Sequence, residues 1–248
     1  RKVAYEPMLS WIKHYLYLWR KTFLTRSARK YYSQFGEDVI LDQLIDPRCP
    51  PGVYIDVGAW HPTKFSNTYF LYRRGRRGGN IDLDAIKIEA FKLARPRDVN
   101  VCAAISDSKR TVQAFSFERY GLGSTIDAGQ AARGDGREFS VRAIETRTLD
   151  EILAETPYRD HEIDLLSIDA EGHDLQVLLS IDLARYRPKI IVIESYANSV
   201  DEILSGEIYG YLVARRYRLC GWAHLSLVFR LPDASIFRNS SRCNAPDR

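Results

Sequence analysis

The 248 residues, of which 45% are hydrophobic, fit one compact domain with a sizeable core. The net charge of +4 favours anionic partners but does not choose among sugar nucleotides, phospholipid surfaces and nucleic acid. The four cysteines, at 49, 102, 220 and 243, have no Cys-x-x-Cys spacing, which argues against a zinc cage and a disulfide-stapled secreted scaffold and favours a reducing cytosol.

The first segment, 1–31, predicts an amphipathic helical extension in which Trp, Tyr, Leu and Ile alternate with Lys and Arg. One interpretation is a helix that lies on a membrane surface, and the other is a helix that packs on the main domain or on a partner subunit, as in a homodimer. No apolar run approaches the ~20 residues that span a bilayer, and no cleavable signal sequence is visible. We therefore expect a cytoplasmic protein, with peripheral contact at the inner membrane face as an option.

Alternating strands and helices follow. The pattern predicts strands at 53–57, 80–83 and 99–105 and helices at 68–72 and 86–93. Two further apolar, β-branched runs, at 163–168 and 190–193, are typical of buried parallel strands, and leucines at helical spacing lie between them. A helix near 209–213 and a closing pair of strands at 217–219 and 225–229 complete a doubly wound, mostly parallel α/β sheet of Rossmann type over 32–235.

Two segments interrupt this pattern. The glycine-rich stretch 117–138 predicts either a mobile lid or a disordered insertion. The polar tail 236–248 is expected to be frayed.

The first strand ends in Asp56, and a turn with Gly58 follows it. In an α/β sheet this places a carboxylate and a bare backbone at the strand's carboxyl end, where ligands bind. Trp60 and Pro62 rule out the Gly-x-Gly-x-x-Gly fingerprint of dinucleotide binding. The turn suits a ligand with a cationic or hydroxylated part, such as the amino-acid end of S-adenosylmethionine.

The second strand ends in Asp82, and Asp84 follows. A carboxylate here can accept two hydrogen bonds from a ribose diol. The alternative is a helix N-cap, and if Asp84 is that cap, Asp82 remains free for the ribose.

A third polar group follows the strand at 163–168 and contains Asp169, Glu171 and His173. These side chains could share general-base work, and the carboxylates could hold a hard divalent cation, with Asp169 as the candidate ligand. His173 could equally be a surface residue in the first turn of a helix.

Together these blocks resemble the FkbM family of S-adenosylmethionine-dependent methyltransferases from about Ser33 to Glu194. The matching segments are 33–38 (SQFGED), 54–59 (YIDVGA), 66–69 (SNTY), 80–82 (NID), 95–100 (RPRDVN), 167–172 (SIDAEG) and 186–191 (YRPKII). The resemblance implies a Rossmann-like class I methyltransferase that methylates an oxygen, most often a hydroxyl of a sugar or of a glycosylated natural product.

The resemblance also implies residue roles. Asp56, Gly58 and Ala59 would line the methionine side of S-adenosylmethionine, and Asp82 would take the ribose. The remaining implied cofactor contacts are the backbone from Ala103 to Ser106 at the adenine and the side chains of Gln34 and Asn67 at the cofactor or the substrate entrance.

Two further expectations concern the acceptor. Trp60 and His61 depart from the family pattern and would either close over the methionine end or face the acceptor. Asp169 is the first candidate base, with Glu171 and His173 behind it. We expect a small-molecule or glycan acceptor and no nucleic acid; the alternatives are methyl transfer to RNA or to nitrogen, and a non-catalytic membrane-associated scaffold.

Overall fold

The computed structural model describes residues 6–24, 30–117, 124–129 and 139–232. The chain divides into two compact units, Arg1–Lys30 and Tyr31–Arg248. In the first unit, helix α1 spans Glu6–Trp19 and continues as a π-helical turn over Arg20–Leu24. No helix within the described ranges has the length and apolar character needed to cross a bilayer.

The second unit contains strands and helices in alternation. The remaining helices are α2 Glu37–Leu44, α3 Tyr69–Arg73, α4 Ala85–Ala94, α5 Leu149–Glu155, α6 Asp174–Leu179, α7 Val200–Ser205 and α8 Glu207–Ala214. The strands are β1 Val53–Val57, β2 Arg77–Asp82, β3 Val99–Cys102, β4 Ala104–Ile105, β5 Thr111–Phe117, β6 Ser124–Thr125, β7 Phe139–Arg147, β8 Ile163–Ile168, β9 Ile190–Glu194, β10 Arg218–Ala223 and β11 Ser226–Arg230.

Seven strands form one large sheet in the order β3-β2-β1-β8-β9-β11-β10. All neighbours pair in parallel except β11, which runs antiparallel to both β9 and β10. The predicted doubly wound, mostly parallel sheet of Rossmann type is therefore confirmed. The strand order reverses between β1 and β8, and in such sheets this switch point is where ligands bind.

Helices cover both faces of the sheet because its central strands carry apolar side chains on both sides. Ile55 packs into a cluster with residues of α5 and α6, such as Ile152 and Val177. Tyr54, its neighbour along β1, points to the other face and packs with Leu41 of α2. Successive side chains of a strand alternate between faces, so the continuous apolar run of β1 builds both halves of the core.

A smaller sheet has the strand order β4-β7-β5-β6. The prediction of one strand over 99–105 is wrong, because the chain leaves the large sheet at Ala103 and Ala104 pairs instead with Thr146. The described part of the predicted lid, residues 117 and 124–129, includes the end of β5 and all of β6. The rest of 117–138 and the predicted tail 236–248 lie outside the described residues.

The cysteines differ from one another. Cys102 and Cys220 are free thiols, whereas Cys49 is buried and takes part in a disulfide. The wide cysteine spacing in the sequence gave no sign of that bond.

Candidate active site

The ends of β1 and β8 touch at a single glycine. Gly58 has a φ of +75°, and a Cβ on it would lie 1.6 Å from the carbonyl oxygen of Asp169. The Gly58 N–H donates to the carbonyl of Ile81 at 2.9 Å, and the Asp169 N–H donates to the carbonyl of Val57 at 3.0 Å. Glycine is required here because any side chain would drive the two strand ends apart.

A cavity of about 200 Å³ opens at this switch point. One water needs roughly 10–15 Å³ by this measure, so the cavity has the size of a ligand site. Eleven of the thirteen residues that the sequence placed at the site line the cavity: Gln34, Asp56, Gly58, Ala59, Trp60, Asn67, Asp82, Ala103, Asp169, Glu171 and His173.

The other two residues, His61 and Ser106, do not line it. The His61 Nδ1 accepts from the backbone N–H groups of Thr63 and Lys64, both at 3.1 Å, and thereby closes the turn after Trp60. Burial, followed by the nearby Lys64, lowers the pKa of His61. Ser106 is fully buried, and its Oγ lies 2.9 Å from the Nε2 of His173.

His173 is buried, so the alternative of a surface histidine is wrong. It stands immediately before α6, and burial, followed by the charge of Arg110, lowers its pKa. The Ser106 hydroxyl, which also accepts from Arg110 Nη2 at 3.2 Å, holds the ring at the cavity wall.

A fully buried arginine organises one side of the cavity. Arg95 donates to the Oγ atoms of Ser66 at 2.7 Å and Thr68 at 2.8 Å, and to Oδ1 of Asn80 at 3.2 Å. The Thr68 hydroxyl in turn donates to Asp56 at 2.6 Å. We call Asp56, Ser66, Thr68, Asn80 and Arg95 the Arg95 network.

The Arg95 network acts on the ionisation of Asp56. Burial raises the pKa of Asp56, while the Thr68 hydrogen bond and the positive charge of Arg95 oppose that rise. Arg95 also contacts the rings of Tyr69, Tyr72 and Phe91. The buried guanidinium is thus held by oxygen acceptors and aromatic faces, and its link to Asp56 runs through the Thr68 hydroxyl.

Asp82 lies at the tip of β2 and accepts from the backbone N–H of Asp84 at 2.8 Å. Asp84 is the N-cap of α4, since its Oδ1 accepts from the N–H of Ile86 at 2.8 Å. Lys87, which the sequence reasoning missed, lines the cavity and lies 3.5 Å from Asp82. Burial raises the pKa of Asp82, and the charge of Lys87 partly opposes this.

Three carboxylates meet on the other side, and of these Asp169 lines the cavity. One oxygen each from Asp169, Asp174 and Glu194 lies within 4.8 Å of the others, and we call this set the carboxylate cluster. Asp174 accepts from the N–H groups of Ala170 at 2.7 Å and Gly172 at 3.1 Å, so it shapes the turn after β8. The Oε2 atom of Glu194 is buried and has no hydrogen-bond partner in the part of the chain that the structure describes.

The carboxylate cluster differs from the Arg95 network in charge balance. No lysine or arginine among the described residues forms an ion pair with it. Burial raises the pKa of Asp174 to about 7, and burial together with the Asp174 charge raises that of Glu194 to about 8. Burial and the charge of Glu194 also raise the pKa of Asp169. Protons, a cationic part of a ligand or a metal ion could each neutralise the carboxylate cluster.

A family model described as the methyltransferase FkbM domain matches residues 56–219, about two thirds of the chain. The chain belongs to this family. It is a methyltransferase, and the resemblance drawn from the sequence motifs is confirmed. The match begins at Asp56 and extends to Leu219, so the segment 33–38 lies outside it.

Two further comparisons concern solved structures and curated proteins. One solved structure, a TehB-like SAM-dependent methyltransferase from Corynebacterium glutamicum, shares 16% identity with a TM-score of 0.40, and the alignment covers 88% of this chain and 97% of that one. A search of curated proteins found no match.

The cavity of the methyltransferase fits the cofactor that its family implies, S-adenosylmethionine. Asp169 lines the cavity and belongs to the carboxylate cluster, which has no lysine or arginine ion-pair partner among the described residues, so this wall suits a ligand that carries positive charge. Asp82 offers acceptor oxygens for hydroxyl groups, and the apolar side chains of Ile81, Leu83 and Ile105 suit a purine.

Sequence reasoning missed two residues here besides Lys87. Glu194 follows an apolar strand just as Asp56 does, and this shared pattern was the available signal. The role of Arg95 had no such signal, because its partners lie up to 33 positions away at Pro62.

Proposed function

We propose that the methyltransferase transfers the methyl group of S-adenosylmethionine to a hydroxyl of a sugar or glycoconjugate, such as a surface polysaccharide, a glycolipid or a glycosylated metabolite. The observation that carries this proposal is an aromatic pair on the wall of the cavity that also contains Asp169.

The aromatic pair consists of Trp60 and Phe65. Their rings stack with centroids 5.3 Å apart and an interplanar angle of 18°. Phe65 is 55% exposed, so a large apolar surface faces the acceptor side rather than the core. The C–H face of a pyranose packs well on such rings, because aromatic faces carry negative charge density.

Arg95 holds the loop that carries this pair. Its Nε donates to the Pro62 carbonyl at 2.7 Å, and its Nη2 donates to Ser66 at 2.7 Å. Phe65 has a left-handed φ of 48°, which is strained for a residue with a side chain. Fixing both ends of the loop keeps the rings in one place, and a fixed platform orients an acceptor with little loss of entropy.

Asp169 is the proton acceptor in this proposal. Its raised pKa makes the ionised carboxylate a stronger base than an ordinary aspartate. When bound, S-adenosylmethionine supplies an electrophilic methyl carbon attached to a sulfonium. An acceptor hydroxyl held beside Asp169 would take up that methyl group and give its proton to Asp169, while the sulfur would keep the electron pair of the C–S bond. Glu171 and His173 line the same cavity and are the further candidates.

The cofactor contacts are assigned in the same proposal. Asp82 accepts hydrogen bonds from the ribose hydroxyls, and the backbone at Ala103 lies beside the adenine. Asp56, Gly58 and Ala59 line the methionine side. Gln34 and Asn67 lie at the entrance, where Asn67 is held by a 3.1 Å hydrogen bond from its Nδ2 to the Ser167 hydroxyl.

The first test of this proposal is Asp169→Asn. We expect turnover to fall by about 10²–10⁴-fold while S-adenosylhomocysteine binding, measured by calorimetry, stays within a few-fold, because an amide cannot take the proton. Asp160→Asn, at an exposed carboxylate, is the matched control and should keep full activity. Unchanged turnover in Asp169→Asn would refute the assignment.

The second test concerns the acceptor. S-adenosylhomocysteine formation is measured with free sugars, nucleotide sugars, glycolipids and RNA. We expect sugar-dependent turnover, with Trp60→Ala and Phe65→Ala raising KM for the sugar. Trp222→Ala is the control, since Trp222 is a half-exposed tryptophan outside the cavity lining. Turnover with RNA and with none of the sugars would overturn the proposal.

A further inference from the structure

Helix α1 has two chemically different faces. Successive residues of an α-helix are rotated by about 100°, which places six large apolar side chains within one arc of roughly 160°. These residues are Trp11, Ile12, Tyr15, Leu16, Leu18 and Trp19. Ser10, Lys13, His14 and Tyr17 occupy the opposite arc.

The apolar face is open. Trp11 is 62% exposed, Leu16 61% and Trp19 54%. Phe23 and Leu24, in the π-helical turn that follows, are exposed as well. A continuous exposed apolar surface of this kind marks a site of interaction with another molecule or a membrane.

The charged residues of this part of the sequence have a single sign. No Asp or Glu occurs from residue 7 to residue 36. The same stretch contains six cations: Lys13, Arg20, Lys21, Arg26, Arg29 and Lys30. A surface that pairs apolar and aromatic side chains with lysines and arginines complements an anionic lipid headgroup layer over an acyl interior.

We propose that residues 6–24 form an interfacial helix that lies on the surface of an anionic membrane. The six side chains of the apolar arc enter the boundary between headgroups and acyl chains, where the amphipathic rings of Trp11, Tyr15 and Trp19 are favoured. The cations of the segment attract the helix to the anionic surface. The proposal concerns a different surface from the cavity, so it stands or falls independently of the proposed acceptor.

Charge decides against a second copy of the chain as the occupant of this face. Two such helices would bring together two sets of cations with no carboxylate between residues 7 and 36 to pair with them. Anionic lipid supplies the missing negative charge, each basic residue near such a surface gaining about 1 kcal/mol.

The experiment is co-sedimentation of the full chain with vesicles of pure phosphatidylcholine and of phosphatidylcholine mixed with phosphatidylglycerol. We expect binding only to the anionic vesicles. Binding should weaken at high salt, because the Debye length falls from about 10 Å at 0.1 M to about 3 Å at 1 M.

Two variants separate the apolar contribution from the charge. Trp11→Ser combined with Trp19→Ser should weaken partitioning by about tenfold or more. Leu93→Ser is the matched control, since Leu93 of α4 is 86% exposed and lies outside this helix, and it should bind vesicles as the parent does. Circular dichroism checks that all variants remain folded.

Three results would overturn the proposal: no binding to anionic vesicles, equal binding to neutral and anionic ones, or unchanged binding in the double tryptophan variant. A concentration-dependent dimer without vesicle binding, seen in sedimentation velocity and lost in that variant, would assign the face to a second copy instead.

Discussion

The two sides of the cavity solve the problem of buried charge in different ways. The Arg95 network contains a buried carboxylate, Asp56, together with a buried guanidinium and a relay through Thr68. The carboxylate cluster has three acids and no lysine or arginine in ion-pair contact among the described residues. Asp56 thus shares a hydrogen-bond network with a buried cation, whereas the carboxylate cluster has no such partner among the described residues.

The largest expected effect lies where the two sides meet. Gly58→Ala should lower the free energy of unfolding by about 5 kcal/mol or more, because the new methyl group would overlap the Asp169 carbonyl. Urea unfolding measures this. Gly75→Ala is the control, since Gly75 has a similar φ of +85° but nothing within 4 Å of a new Cβ, and it should cost only about 1–2 kcal/mol. Equal losses of unfolding free energy in the two variants would mean that the close approach of Gly58 to Asp169 does not affect stability.

The next largest effect is expected for the Arg95 network. Arg95→Met keeps an unbranched side chain but removes the charge and four hydrogen bonds, and we expect a loss of about 3–5 kcal/mol in unfolding free energy. Arg97→Met provides the comparison, because Arg97 also contacts the Tyr72 ring yet is exposed. If the two variants were equally stable, the Arg95 network would not organise this side.

A smaller effect is expected for Asp82, which lies beside both sides. Asp82→Ala should weaken binding of S-adenosylhomocysteine by ~1.5–3 kcal/mol through the loss of charge-assisted hydrogen bonds to the ribose. Calorimetry tests this directly. Asp84→Ala serves as the reference, since it removes the helix cap and not the proposed ribose contact. Unchanged affinity in Asp82→Ala would contradict the ribose assignment.

The smallest expected effect is on the pH dependence of stability. The pKa of Glu194 rises from its ordinary 4.5 to about 8 in the folded protein. The folded state therefore holds more protons than the unfolded chain between these values, and stability falls as pH rises through this window. In Glu194→Gln, with chelator present, that fall should be shallower than in the parent.

Two comparisons complete this test. Glu202→Gln, at an exposed carboxylate of α7, is the control and should leave the pH profile unchanged. Repeating the titration with excess MgCl2 tests a metal ion as the neutralising group: stabilisation of the parent but not of Glu194→Gln would assign that role to the cation. An identical slope in parent and Glu194→Gln would contradict the raised pKa.

The fold was predictable wherever local pattern decides structure. The apolar runs at 53–57 and 163–168 match β1 and β8 in both bounds. The continuation of β3 to residue 105 failed because the departure at Ala103 depends on pairing with β7, more than forty residues later. The small sheet was missed for the same reason: its strands are defined by each other and not by a buried apolar run.

Some residues of the candidate site were likewise predictable from local sequence, and others were not. The acids Asp56, Asp82 and Asp169 were predictable because each lies within one residue of the carboxyl end of a strand, at one edge of the sheet. The roles of Arg95 and Glu194 were not, since they arise from packing between distant segments. For His61 the sequence predicted a site role that the structure does not support. Its ring accepts hydrogen bonds within its own loop and does not line the cavity.

The pairing of β1 with β8 also bears on how the chain folds. Val53 pairs with Ile163, so the central register joins positions 163 − 53 = 110 residues apart. Closing so long a loop costs entropy before any contact is gained, which makes this pairing slow relative to local hairpins. During synthesis, a chain that has emerged only as far as β7 lacks β8 and the residues after it, and therefore lacks part of the cavity lining. The appearance of cofactor affinity would therefore report that the middle of the sheet has closed.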